Sequence, residues 1–251
     1  MFISFYQVVF HAFIFEFAFE RRHPNRGAIH SASPALKRKS CLFPGTFMPH
    51  CFTAVFEPCL INGKTKFLRH NTRLWFERPE SPTFDGVCLG AVVGLNPGSA
   101  KGDAEIGRET FGECDPTMQR VLKTFEIAFK LKGVSVPEGA YVQLLNLFYL
   151  RDARASAALA ARDENPQILA DARDKEEGRQ YPFLWLAWGK SARADDVDRF
   201  LDGRTEKCCW VDSRSNFSFE PPEEAWMPAH PLCRTKGFKM AHNAEMIVRM
   251  L

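Results

Sequence analysis

Eight cysteines, at positions 41, 51, 59, 88, 114, 208, 209 and 233, form no C-x-x-C pair and no zinc-knuckle or ferredoxin spacing. Scattered reduced thiols are the simpler reading; Cys41, Cys51 and Cys59 joining a fourth ligand around an iron–sulfur cluster is the alternative. No charge of one sign dominates: 33 basic against 30 acidic residues leave +3, so nothing global demands a polyanionic partner, although a local basic surface remains open. No basic residue precedes the apolar run that begins the chain, and Gln7, His11 and Glu16 interrupt it. That suits neither an export signal nor a membrane span, and a cytoplasmic location is expected. The chain shows no internal repeat. Its one glycine-rich turn after a strand, Gly94 to Ser99, has no Gly-Lys-Ser/Thr at Walker spacing and no G-x-G-x-x-G fingerprint.

What is present is ordinary folding material, 45% apolar and 25% charged over 251 residues, enough for one α/β domain or two small ones. The reading adopted is a single domain over 41–251 behind an extension over 1–40. In that extension Phe13, Phe15, Phe17 and Phe19 fall on alternate residues, as on a peripheral strand; a start codon placed too far upstream is the other reading. Arg21 to Lys39 then mixes basic residues with Pro, Ser and Gly, as a linker does.

Regular patterning starts near residue 85. Val87 to Val93, Tyr141 to Leu147, Phe183 to Trp188 and Cys208 to Val211 read as strands. Asp115-Pro116 opens a helix with a cap and a proline in its first position, an apolar stripe of Met118, Leu122, Phe125 and Phe129 follows, and Gly133 stops it. Further helices are expected over Ala153 to Ala161, Asp163 to Arg179, Ser191 to Leu201 and Met240 to Leu251. The alternation predicts a three-layer α/β/α fold with a mostly parallel central sheet. Ligands bind beyond the carboxyl ends of such strands, which marks Asn96-Pro97-Gly98, Asn146, Trp188-Gly189 and His230 as converging on one mouth.

In chain order stand Gly94-Leu95-Asn96-Pro97-Gly98, Phe111, Leu144-Leu145-Asn146-Leu147 with Arg151 behind it, Leu186-Ala187-Trp188-Gly189-Lys190-Ser191-Ala192, and His230-Pro231-Leu232 followed by Gly237-Phe238. The series resembles the uracil-DNA glycosylase superfamily, where a G-[Q/I]-[D/N]-P turn, an aromatic base-stacker, an L-L-N strand, a W-G strand end and an H-P-S loop occur in that order. It is also similar to an uncharacterised bacterial family with L-N-P-S, D-P-T, N-L-F, W-G and H-P motifs, followed here through Asp115-Pro116-Thr117 and Asn146-Leu147-Phe148. Residues 85–251 carry the resemblance.

It implies a glycosylase-like fold and a monofunctional enzyme that flips a pyrimidine out of DNA and hydrolyses its glycosidic bond, acting as a monomer without metal or cofactor. Asn96 would orient the attacking water, though a neutral amide is no general base. Asn146 would read the base edge and Phe111 stack on the base, with Gly94, Leu95, Pro97 and Gly98 completing the base pocket. His230 would donate to the carbonyl that gains charge. Ser99, Lys190, Ser191, Arg234, Lys236 and Phe238 would contact duplex or single-stranded DNA. Uracil-specific members carry Tyr where this chain has Gly98, so tolerance of 5-substituted pyrimidines, including bulky ones of phage DNA, is expected. His-Pro-Leu-Cys in place of His-Pro-Ser puts the loop's phosphate contact in doubt. Two other readings stay open: a nucleic-acid-binding module without chemistry, and a hydrolase of free nucleosides or nucleotides.

Overall fold

A hairpin that the strand expectations omit begins the described fold. In the computed structural model, which describes residues 50–102, 106–165, 179–233 and 240–251, β1 (Cys51–Ile61) and β2 (Lys64–Trp75) pair antiparallel across Asn62-Gly63. Both turn residues have left-handed backbones, φ 51° and 70°, the geometry that matches the twist of the flanking strands and that Asn-Gly adopts most readily. The chain divides into two units, Met1–Gly45 and Thr46–Leu251. The first, with the expected phenylalanine strand, basic linker and Cys41, lies outside the described residues, as do 166–178 of the expected charged helix.

The remaining strands are β3 (Val87–Gly94), β4 (Glu109–Glu113), β5 (Ala140–Asn146), β6 (Leu184–Leu186), β7 (Cys208–Val211) and β8 (Phe217–Ser218). All eight form one sheet in the order β4-β1-β2-β5-β3-β6-β7-β8. The expected mostly parallel sheet is therefore corrected to a mixed one. Its centre, β5-β3-β6-β7, is parallel, but the hairpin and β4 extend one side antiparallel and β8 closes the other. The four strands expected from apolar runs are the parallel ones, since only strands covered on both faces need continuous apolar sequence.

Helices α1 (Pro116–Lys132), α2 (Ala155–Glu164), α3 (Ala194–Leu201) and α4 (Met240–Met250) cover the faces. Successive residues point to opposite sides of a strand. Val92, Leu144 and Trp185 accordingly pack in one core with Val121, Leu122 and Phe125 of α1 and Met246 and Ile247 of α4. Their neighbours Val93, Leu145 and Leu186 pack in a second core with Ala158 of α2 and Val197 and Phe200 of α3. Helix α1 starts as expected: Asp115 Oδ1 accepts from the Met118 amide at 2.9 Å, and Gly133 ends it at φ 73°. Each of its fully buried Leu and Phe side chains contributes about 1.5–3 kcal/mol. Among the described residues no helix is long and apolar enough to cross a membrane.

The iron–sulfur alternative is overturned. Cys51 and Cys59 lie on the single strand β1, eight residues and so about 26 Å apart at roughly 3.3 Å per residue, far beyond the span of one cluster. Burial, partly offset by Arg78, also pushes the Cys51 thiol up to about 11, against thiolate formation.

Candidate functional site

The parallel strands fix where a ligand site belongs. From β3 the chain crosses to β5 on one side of it and later to β6 on the other, so the chain reverses direction across the sheet between β3 and β6, where the loops leaving the strands diverge and open a crevice. A cavity of about 390 Å³ lies there. Gly94, Leu95, Asn96 and Gly98 line it from the end of β3, Asn146 from the end of β5, Trp188 to Ser191 from the end of β6, and His230 with Pro231 from the loop after β8. The convergence expected of these segments is present.

The polar groups divide into those that hold the walls and those left open. Asn96 Nδ2 donates to the carbonyls of Pro97 and Asp152, both at 3.0 Å, and of Leu150 at 3.4 Å. Three acceptors around one nitrogen fix the amide's orientation, and they tie the turn after β3 to the segment after β5. The Pro97 carbonyl also accepts from the Asp152 amide at 3.1 Å. Asn146 differs: it is 2% exposed and its Nδ2 has no hydrogen-bond partner, a state that costs about 1–3 kcal/mol in a folded protein. Gly94 lies beside it in the β3–β5 register, and a Cβ there would stand 3.0 Å from Asn146 Oδ1; glycine leaves the amide uncovered.

His230 is half-buried, and its Nδ1 accepts from the Leu232 amide at 3.1 Å. A backbone N–H can only donate, so the neutral ring carries its proton on Nε2. Burial, only partly countered by the Asp115 carboxylate, holds the histidine pKa below its ordinary value. Gly189 permits this packing: its φ is 80°, and a Cβ would approach His230 Cβ to 3.2 Å. Trp188, 2% exposed, donates its indole N–H to the Ala225 carbonyl at 2.6 Å.

Other expected site residues stand elsewhere. Phe111 is a correction. It sits on the edge strand β4, paired with Thr53, three strands or about 14 Å from β5. There it packs near Trp75 and Tyr141 with the Arg78 guanidinium 3.8 Å above its ring, so it cannot stack on a ligand held by Asn146. Trp188 and His230 are the rings that line the cavity among the described residues. Ser99 is exposed outside the lining, its carbonyl accepting from Arg151 Nη2 at 2.6 Å. Lys190 and Ser191 are exposed at the rim. Arg234, Lys236 and Phe238 lie outside the described residues.

Three charged lining residues were not expected in the site. Arg69, 1% exposed, comes from β2. Asp115, expected only as a helix cap, faces the cavity beside Gly98, where a Cβ would stand 3.2 Å from Asp115 Oδ2. Asp152 completes the set. Burial opposes ionisation of Asp152, but the Arg154 amide at 3.0 Å and the Lys66 ammonium at 3.1 Å outweigh it and hold its pKa low.

No family model matches the chain, and no curated protein or solved structure does either.

Proposed function

We propose that the chain is a monofunctional DNA glycosylase with a uracil-DNA glycosylase-like fold, which turns a pyrimidine nucleotide out of DNA and hydrolyses its N-glycosidic bond. The observation that carries this reading is the Asn146 amide, buried in the cavity lining with its nitrogen unpartnered. Among the described residues the buried amides without a partner are those of Gln143, Asn146 and Asn243, and of these Asn146 lines the cavity, where a ligand can supply the missing bond. The cavity also contains a neutral His230 with the proton on Nε2. That N–H is suited to donate to a base carbonyl that gains charge as the glycosidic bond breaks, a contribution of about 3–4 kcal/mol in comparable oxyanion sites.

The cavity, about 390 Å³, is large enough for an extruded base, and exposed Lys190 and Ser191 at its rim suit a backbone phosphate. With Phe111 removed from the site, stacking falls to Trp188. Gly98 carries no side chain at the place where, in uracil-specific enzymes, a ring excludes a methyl group, and Asp115 Oδ2 lies 3.2 Å from its Cβ position, so 5-substituted pyrimidines are the substrate class favoured.

The second reading, binding without chemistry, is favoured by the commitment of the Asn96 amide to three backbone carbonyls. One experiment separates the two. The protein is incubated with duplexes carrying uracil, thymine mispairs, and hydroxymethylated or glucosylated pyrimidines, then treated with alkali and run on a gel beside Asn96→Ala and His230→Ala. Strand breaks that His230→Ala suppresses support excision. Salt-sensitive binding with no break on any duplex leaves a binding module.

A further inference from the structure

The cavity contains a carboxylate where hydrolysis needs a proton acceptor that Asn96 is not. Asp115 uses one oxygen, Oδ1, to cap α1 through the Met118 amide. Its other oxygen, Oδ2, borders the cavity beside Gly98, two residues after Asn96 on the same turn. The Asn96 amide is pinned through its nitrogen, which leaves Oδ1 as its acceptor. We propose that Asp115 is the catalytic base of this site, holding the attacking water between its Oδ2 and Asn96 Oδ1.

This assignment rests on the glycosylase reading. The water oxygen forms a bond to C1′ while the C1′–N1 bond breaks and its electron pair passes into the base, toward the carbonyl facing His230. The water's proton goes to Asp115 Oδ2, and from there through solvent to the departing base anion, so the products are an abasic deoxyribose with a C1′ hydroxyl and the neutral base. The cap fixes the carboxyl group: α1 is 17 residues long and buried along one face, so its first turn does not drift. Asp152, the other lining carboxylate, is already engaged by Lys66 and the Arg154 amide.

The test is Asp115→Asn, which retains a side-chain cap but not the basic oxygen, with Asp115→Ser as a second capping variant in case one fails to fold. Single-turnover excision is measured on the duplex the unaltered protein cleaves best, and affinity on a duplex bearing a tetrahydrofuran abasic analogue. The expected result is a rate lower by about 100-fold or more, with affinity within threefold of the unaltered protein. Excision by a folded variant within threefold of the unaltered rate overturns the assignment of Asp115 alone. Absence of excision by the unaltered protein on every duplex overturns the glycosylase reading, and this assignment with it.

Discussion

Replacing Asn96 by aspartate tests the role of the turn directly, because a carboxylate there looks like a gain of catalytic function and the hydrogen bonds say otherwise. The Asn96 nitrogen serves three carbonyls at 3.0, 3.0 and 3.4 Å. Asn96→Asp removes about two good N–H···O bonds, each worth about 0.5–1.5 kcal/mol net, and leaves buried acceptors facing a carboxylate oxygen. The expected cost at pH 7.5 is about 3 kcal/mol, which for a domain of this size lowers Tm by about 6–12 °C at roughly 2–4 °C per kcal/mol. A carboxyl pressed against carbonyls has a folded pKa above its unfolded value of about 3.9. Such a group destabilises at neutral pH and ceases to do so as pH falls below the folded pKa. Urea denaturation of both proteins at pH 7.5 and pH 4.5 should therefore show a gap that narrows in acid. A variant as stable as the parent at pH 7.5, or one that excises bases faster, refutes the view that Asn96 is a clamp whose free oxygen only orients water.

Asn146→Leu, which removes an unpartnered buried amide for a similar volume, should leave Tm unchanged or raised while abolishing excision of, or affinity for, the base; a loss of several degrees would mean that the fold uses the amide. Because burial lowers the His230 pKa, its stabilising contribution is complete above the unfolded value of about 6.5 and is lost as pH falls through the folded value. Unfolding free energies between pH 7.5 and 5 should fall less steeply in His230→Gln than in the parent. Gly98→Tyr would press a ring toward Asp115, whose Oδ2 is 3.2 Å from the Cβ position, and should suppress excision of 5-substituted pyrimidines more than of uracil; equal activity on both removes the steric argument.

Local signals carried most of the parallel core. β7 falls at Cys208–Val211 as expected, and α1 falls between its Asp-Pro start and glycine stop, because cap, proline and stripe all lie within the helix itself. The site was legible for a related reason: strand ends in a parallel sheet share one side, so Asn96, Asn146 and Gly189 could be grouped without knowing any contact, whereas His230 follows the antiparallel β8 and was grouped with them by its place in the motif order. The hairpin was missed although Asn62-Gly63 is a strong turn signal, because β2 buries Arg69, His70, Thr72 and Arg73 and so lacks the apolar alternation of a strand. With β2 went Arg69. Phe111 was misplaced because β4 exists through its pairing with β1, a partner more than fifty residues earlier, which no local pattern announces.

The division of labour among the polar groups narrows the ligand further than the motif order does. Where a polar side chain builds the walls, its holding atoms are engaged, as at the Asn96 nitrogen and at Asp152 with Lys66 and the Arg154 amide. Among the described residues the buried amides without a partner are those of Gln143, Asn146 and Asn243, and of these Asn146 lines the cavity, as does His230 with its proton on Nε2. A buried amide offers a donor and an acceptor, and the histidine adds a donor. Their complement is a small flat ring with a carbonyl for His230 and an adjacent donor–acceptor edge for Asn146. On the glycosylase reading a pyrimidine meets these demands, whereas a purely apolar ligand would leave the buried Asn146 amide unpaired at a cost of about 1–3 kcal/mol.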